Sequence, residues 1–147
     1  MTTTVKPPLS LYERDFAAWL EEQASLLRTG QFDALDAGNL AEELEDMGRS
    51  QRRELDSRLT VLVAHLLKVQ RQPELHSRSW DLTIAQQRRE IQKLLQHSPS
   101  LRKALPQVMA EAYAAARKLA SLETGLPEES FPPALDRSIE AALELSD

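Results

Sequence analysis

Four polar side chains spaced for a helix offer the most chemistry in this sequence. Glu54, Arg58, His65 and Lys68 fall within about 80° of one another on a helical wheel, along the margin of an apolar arc. An imidazole changes charge near neutral pH, so His65 is a candidate base, with a carboxylate to orient it and Arg58 to hold an anion. The competing reading pairs Glu54 with Arg58 at i,i+4 and leaves His65 as a satisfied boundary histidine. No nucleophile stands at a spacing that would serve such a base, so pairing is preferred and no catalytic residue is assigned. A short loop joins this helix to the next. The expected meeting place of a binding site is therefore where Glu54, Arg58 and His65 approach Arg78, Trp80 and Arg89.

A second cluster is acidic. Glu42, Glu43, Glu45 and Asp46 bring four carboxylates into one turn region. Helical di-metal centres need Glu-x-x-His on two helices, and His65, His76 and His97 all lack a glutamate three residues before them. Acidic residues in an early turn also suit the helix dipole. No metal and no cofactor are expected. The absence of cysteine excludes disulfides, thiolate ligands and thiol nucleophiles, and fits a reducing cytoplasm.

The charge is segregated. Residues 1–64 carry 7 Lys/Arg and 12 Asp/Glu, residues 65–103 carry 8 and 3, and residues 104–147 carry 3 and 8. The basic middle, with Arg71, Arg78, Arg88, Arg89, Lys93 and Trp80, is what a phosphate backbone would use. Against this, no helix-turn-helix spacing, phosphate-binding glycine loop or nucleophile elbow occurs, and Trp80 heads an apolar stripe. Acidic flanks packed beside the basic stretch would neutralise it equally well.

The elements that must position these residues are helices. Ser10 and Glu13 form a capping box. The stripe that follows, Phe16, Leu20, Ala24 and Leu27, is widened by Trp19 and Leu26 and ends at Gly30. Asp36 or Asn39 caps the second helix, whose positions Leu40, Leu44, Met47, Gln51, Leu55, Leu59, Leu62, Leu66 and Val69 cover 29 residues in eight steps. That is 3.6 per step, the period of a straight bundle helix; Gln51 is its one polar slot, and Gly48 is a place for a kink. Val61, Val63 and Leu67 widen the apolar arc over residues 61–67, so neighbours are expected on several sides.

Pro73 closes that helix, and Ser77 or Ser79 opens a third with Trp80, Ile84, Ile91, Leu94 and Leu95 inward and Arg88, Arg89, Glu90 and Lys93 outward. A fourth helix starts at Pro99, bends or restarts at Pro106, carries the small residues Ala110, Ala112, Ala114, Ala115 and Ala116, and stops at Gly125. Beyond it, three prolines make residues 126–135 an irregular arm anchored by Phe131, and residues 136–145 are a last short helix. The expected fold is all-α. It is a single-domain bundle of about four main helices with a long central second helix, a core over about residues 10–125 and an irregular C-terminal arm. A chain of 147 residues with 41% apolar and 28% charged residues suits one core. The apolar run at 61–67 is far short of a membrane span, and residues 1–10 lack a secretory apolar region.

The ordered runs DFAAWLEEQASLLR, NLAEELEDMGRSQRRELDSRL, HLLKVQRQPE, SRSWDLTIAQQRREI, SPSLR and ETGLP resemble the bacterial family called domain of unknown function 29, over roughly residues 11–131. The resemblance implies a small all-helical protein and carries no activity, substrate or catalytic residue. Val69 stands in place of a tryptophan of the family pattern, and residues 132–147 lack its aromatic, acidic end. The expected role is a non-catalytic helical bundle acting through protein contacts or as a homo-oligomer, on the strength of the apolar arc at 61–67. A nucleic-acid accessory protein using residues 65–103 is the second expectation, and an enzyme centred on His65 and Arg58 the third.

Overall fold

Caps and breakers divide the chain into six α-helices in the computed structural model, which describes residues 5–143. They are α1 (Leu11–Arg14), α2 (Phe16–Arg28), α3 (Ala37–Arg71), α4 (Arg78–His97), α5 (Leu105–Thr124) and α6 (Arg137–Leu143), with short 3-10 turns between them and no strand among the described residues. The four longer helices, α2 to α5, match the expected count, and α3 with its 35 residues is the long second one. No helix among the described residues is long and apolar enough to cross a membrane. The chain forms two compact units, Met1–Met47 and Gly48–Asp147.

The first unit is organised by polar side chains around very little core. Ser10 Oγ accepts from the Glu13 amide at 3.3 Å, as the capping box requires, yet the helix it starts lasts only four residues. Asp15, at φ −150° and ψ 90°, leaves the helical region and becomes a second N-cap, its carboxylate accepting from the Ala18 amide at 3.0 Å. One helix from Ser10 to Gly30 was the expectation, and Asp15 divides it because a short acceptor side chain favours capping over continuing. The helix then ends as its glycine predicts. Gly30 sits at φ +74°, the Gln31 amide donates to Leu26 O at 2.9 Å and the Gly30 amide to Leu27 O at 3.3 Å, a paired arrangement that satisfies two orphan carbonyls.

Asp36 ties this unit together. Its carboxylate accepts from the Asn39 amide at 3.4 Å and from the Asn39 side chain at 2.9 Å, so Asp36, not Asn39, caps α3. It also accepts from the Trp19 indole at 3.1 Å, while its own amide donates to the buried Gln23 side chain at 2.8 Å. The donors favour the ionised form, the Asn39 side chain foremost, and hold the carboxyl below its usual value. Trp19 is buried beneath Tyr12, edge-on at 4.8 Å, and Phe16, stacked at 5.7 Å. The Tyr12 hydroxyl donates to Glu43, and that bond, with some desolvation and the negative charge nearby, pushes its pKa up to about 12.

In the second unit the apolar arc of α3 is enclosed. Leu55, Leu59, Leu62, Val63, Ala64 and Leu67 are all inaccessible, and they meet Ile84, Ile91, Leu94 and Leu95 of α4, the inner face of α5, Phe131 of the arm, and Ile139 and Leu143 of α6. Ala112, Ala116 and Ala120 follow one another at i+4 on α5 and are fully buried, which lets a neighbouring backbone come close. Helix α5 begins at Leu105 with Pro106 in its first turn, so the chain restarts there after the 3-10 turn Pro99–Lys103, and Gly125 at φ +75° ends it. Gln51, the polar slot of the stripe, accepts from Ser98 at the end of α4 at 2.8 Å.

Three long-range polar contacts lock this unit. Lys68, only 8% exposed, donates to Glu123 at 2.7 Å and lies over the Trp80 ring at 4.7 Å. The Tyr113 hydroxyl donates to Pro132 O at 2.6 Å and holds the arm to α5. Arg88, expected to point outward, instead donates to two backbone carbonyls of α6, Ala142 O and, at 3.1 Å, Leu143 O.

Burial follows the periodicity in one half of α3 and departs from it in the other. Leu59 is 0% exposed, whereas Leu44 is 66% and Met47 65% exposed, although all three lie on one stripe. Periodicity places apolar residues on a common face; only a neighbouring element covers that face. Leu59→Ala is accordingly expected to cost about 2–5 kcal/mol in urea unfolding, through lost transfer energy and an unfilled cavity. Leu44→Ala should stay within about 0.5 kcal/mol of the parent. Asp36 makes a pH-dependent prediction. A depressed carboxyl contributes stability that is present above the unfolded value near 3.8 and is lost as pH falls through the lower folded value. In a Trp80→Phe background, where Trp19 fluorescence reports on the first unit, Asp36→Ala should lower the melting temperature at pH 7 and make less difference at an acid pH below the usual carboxylate range. An equal effect at both pH values would contradict the capping role.

Candidate functional site

Of the six residues expected to share a binding site, the described bonds join Glu54 directly to Arg58 and hold the others apart from that pair. Glu54 accepts from Arg58 Nε at 2.9 Å, the i,i+4 pair anticipated from spacing, and Arg58 reaches α4 only through a 3.3 Å contact with the Gln87 side chain. His65 Nδ1 lies 2.9 Å from Val61 O, one turn back on its own helix, an arrangement in which the ring is a donor to a backbone carbonyl. Arg78 is exposed at the start of α4. Arg89 is 70% exposed, with Glu90 at 3.7 Å. Trp80 is half-buried under Lys68. Arg58 is thus tied across to α4 through Gln87, and the described bond of His65 is to its own helix.

A tighter group forms nearby, from residues that spacing did not single out together. His76 Nε2 meets Asp81 Oδ1 at 2.5 Å, and the His76 ring stacks on Trp80 at 6.4 Å with 22° between planes. Lys68 also lies on the indole and is paired with Glu123, so Trp80 contacts a cation and an imidazole that each hold a carboxylate. The cation is already paired and already on an aromatic face, so this cluster pins α3, α4 and α5. The short spacing of His76, Trp80 and Asp81 was a local signal for part of it. Glu123 lies 55 residues from Lys68, and no local pattern announces it.

An outward apolar face is the feature that folding leaves over. On α2 the apolar arc has two flanks. Trp19, Gln23 and Leu26 span about 60° and face inward, toward the Asp36 contacts; Phe16, Leu20 and Leu27 span about 40° beside them and are 44–48% exposed. Phe32 in the following turn is 65% exposed, and Leu44 with Met47 forms a further exposed apolar pair on α3, one turn apart. The stripe that periodicity treats as buried is thus open on α2 and on the first part of α3. The unit that carries it holds 3 Lys/Arg (Lys6, Arg14, Arg28) and 10 Asp/Glu, a net charge of −7. Isolated exposed leucines are ordinary on any surface, but a stripe of large apolar side chains along one helix, in a unit of strong negative charge, has the makeup of a contact surface. Among the described residues no group of three or more His, Asp or Glu side chains is placed to hold a metal ion.

Comparison with known proteins agrees with the resemblance read from the sequence runs. A family model described as domain of unknown function DUF29 matches residues 11–146. The match extends past residue 131 through the tail, which had looked unlike the family, so the arm and α6 belong to the family's shared length. No curated protein and no solved structure matches the chain. Because the family model covers nearly the whole sequence, the chain belongs to the family described as domain of unknown function DUF29.

Proposed function

We propose that the protein is a non-catalytic helical interaction module whose acidic N-terminal unit docks a basic, amphipathic segment of a partner protein. The observation that carries this reading is the exposed stripe Phe16, Leu20 and Leu27 within a unit of net charge −7. Apolar side chains supply the affinity and the surrounding carboxylates select a cationic partner and speed its approach. A second copy fits this face poorly, since it would set −7 against −7. The arc over residues 61–67, which first motivated a contact role, is consumed by the protein's own core. The lack of cysteine and of a membrane-spanning helix among the described residues is compatible with work in the cytoplasm.

The nucleic-acid alternative is weaker than the charge count implies, because Lys68 is paired with Glu123 and Arg88 is bonded to backbone carbonyls of α6. Two of the eight cations in residues 65–103 are therefore spent on the fold. The enzymatic alternative keeps Nε2 of His65 as its base, since Nδ1 donates to Val61 O, but the described bonds bring no other candidate residue to that nitrogen.

The test uses the whole chain with a Trp80→Phe change and follows Trp19 fluorescence during titration with a synthetic amphipathic helix of leucine and lysine. Binding should weaken as salt rises, and Leu20→Ala with Leu27→Ala should weaken it about tenfold or more without lowering the melting temperature. A leucine and glutamate peptide of the same pattern should not bind. Failure of the basic peptide to bind removes the proposal. Salt-insensitive self-association in sedimentation, lost in the double alanine variant, would replace it with a homo-oligomer.

A further inference from the structure

Helix α4 turns a basic stripe outward. On its helical wheel Arg78, Leu82, Arg89 and Lys93 fall within about 60° of one another. Leu82 is 61% exposed, and the side chains of Arg89 and Lys93 are 70% and 61% exposed. The carboxylates of α4 lie off this stripe, Asp81 about 100° from Leu82 and Glu90 about 80° away on the other side. Both are engaged, Asp81 with His76 at 2.5 Å and Glu90 with Lys93 at 3.5 Å and Arg89 at 3.7 Å. One carboxylate thus serves two cations of the stripe, and Arg78 is in no ion pair among the described residues. Ion pairs this exposed are weak, so both cations can exchange Glu90 for another acceptor. The methylene stems of the three cations stand beside Leu82 and make the stripe apolar as well as charged.

This is the chemistry that complements the N-terminal unit. That unit has a net charge of −7 and shows Phe16, Leu20 and Leu27 to solvent, whereas the second unit holds the remaining 15 Lys/Arg and 13 Asp/Glu, a net charge of +2. Two N-terminal units face to face would repel. An N-terminal unit set against the α4 stripe of another copy meets the opposite sign. The lengths also agree. At 1.5 Å per residue, Phe16 to Leu27 rises roughly 16 Å and Arg78 to Lys93 roughly 22 Å, so the basic stripe outreaches the apolar one and carries a cation at each end.

We infer that the partner of the N-terminal unit is a second copy of this chain, docked head to tail through the outward stripe Arg78, Leu82, Arg89 and Lys93 of its α4. The inference rests on the docking role proposed for Phe16, Leu20 and Leu27 and names the occupant. Because the two surfaces differ, the contact is heterologous. Each bound pair still offers one free stripe and one free N-terminal unit, and assembly proceeds past a dimer to a ring or an open chain.

Sedimentation velocity of the full chain, at concentrations above the dissociation constant of the leucine and lysine peptide, tests this. Species larger than a dimer should form at low salt and disperse as salt rises. Leu82→Glu with Lys93→Glu puts carboxylates on the exposed stripe and should weaken self-association about tenfold or more, while the peptide still binds the N-terminal unit as tightly as before. Leu20→Ala with Leu27→Ala should weaken both. Each of these double variants keeps the surface that the other has lost, so a mixture of the two should pair one to one and stop at a dimer, although neither associates alone. A parent chain that stays monomeric at low salt while the peptide binds overturns the inference and leaves the docking role of the N-terminal unit intact. If neither the peptide nor a second copy binds, both readings fall. Self-association that survives Leu82→Glu with Lys93→Glu, or mixed variants that do not pair, also overturns the head-to-tail contact. So does a mixed-sequence DNA duplex that binds more tightly than a second copy and is lost in Leu82→Glu with Lys93→Glu, which would make the stripe a nucleic-acid surface.

Discussion

A helix that is apolar around much of its circumference cannot stand in water, and α3 between Leu55 and Leu67 is such a helix. At roughly 25 cal/mol per Å² of apolar surface removed from solvent, covering one flank of it would leave most of the available free energy unused. The rest of the second unit follows from that demand. Helix α4 covers one side with Ile84, Ile91, Leu94 and Leu95, α5 another with an alanine ridge, and Phe131, Ile139 and Leu143 complete the enclosure. The polar contacts come after this in importance. Lys68 with Glu123, and Arg88 with α6, decide which arrangement of similar greasy surfaces is adopted, because a misplaced helix would strand a charge.

The N-terminal unit works under a different constraint. It has one buried indole and one buried amide side chain where the other unit has a continuous core. Its order comes from Asp36, which satisfies the first turn of α3, the Trp19 indole and, through its own amide, Gln23. A unit held by directional bonds can keep its shape while its leucines face outward. This is how one chain can spend its hydrophobic residues inward in one part and present them in another.

What the sequence made legible was local. Ser10, Ser77, Gly30, Gly125 and the restart at Pro106 all act where side-chain chemistry within a few residues decides the backbone, and each does so as its residue type requires. The pairing of Glu54 with Arg58 is of the same kind. Asp15 escaped notice because a capping residue inside an apolar pattern looks like a polar position on a helix. The fate of Leu44 and Leu20 was not legible, since recurrence every 3.6 residues identifies a face without naming its neighbour. Arg88 illustrates the same gap: its acceptors lie 54 and 55 residues away, and only the position of α6 brings them near.

The spans of these contacts differ between the two units, and this bears on how the chain assembles. Among the described side-chain bonds of the first unit, Tyr12 to Glu43 spans 31 residues, so closing it costs little chain entropy and needs only the leading third of the polypeptide. Those of the second unit reach from Gln70 to Ser138, a separation of 68. On a ribosome, the early segment can therefore reach its native arrangement while α3 still lacks its cover, and for that interval the bare leucines of α3 are what a chaperone would meet.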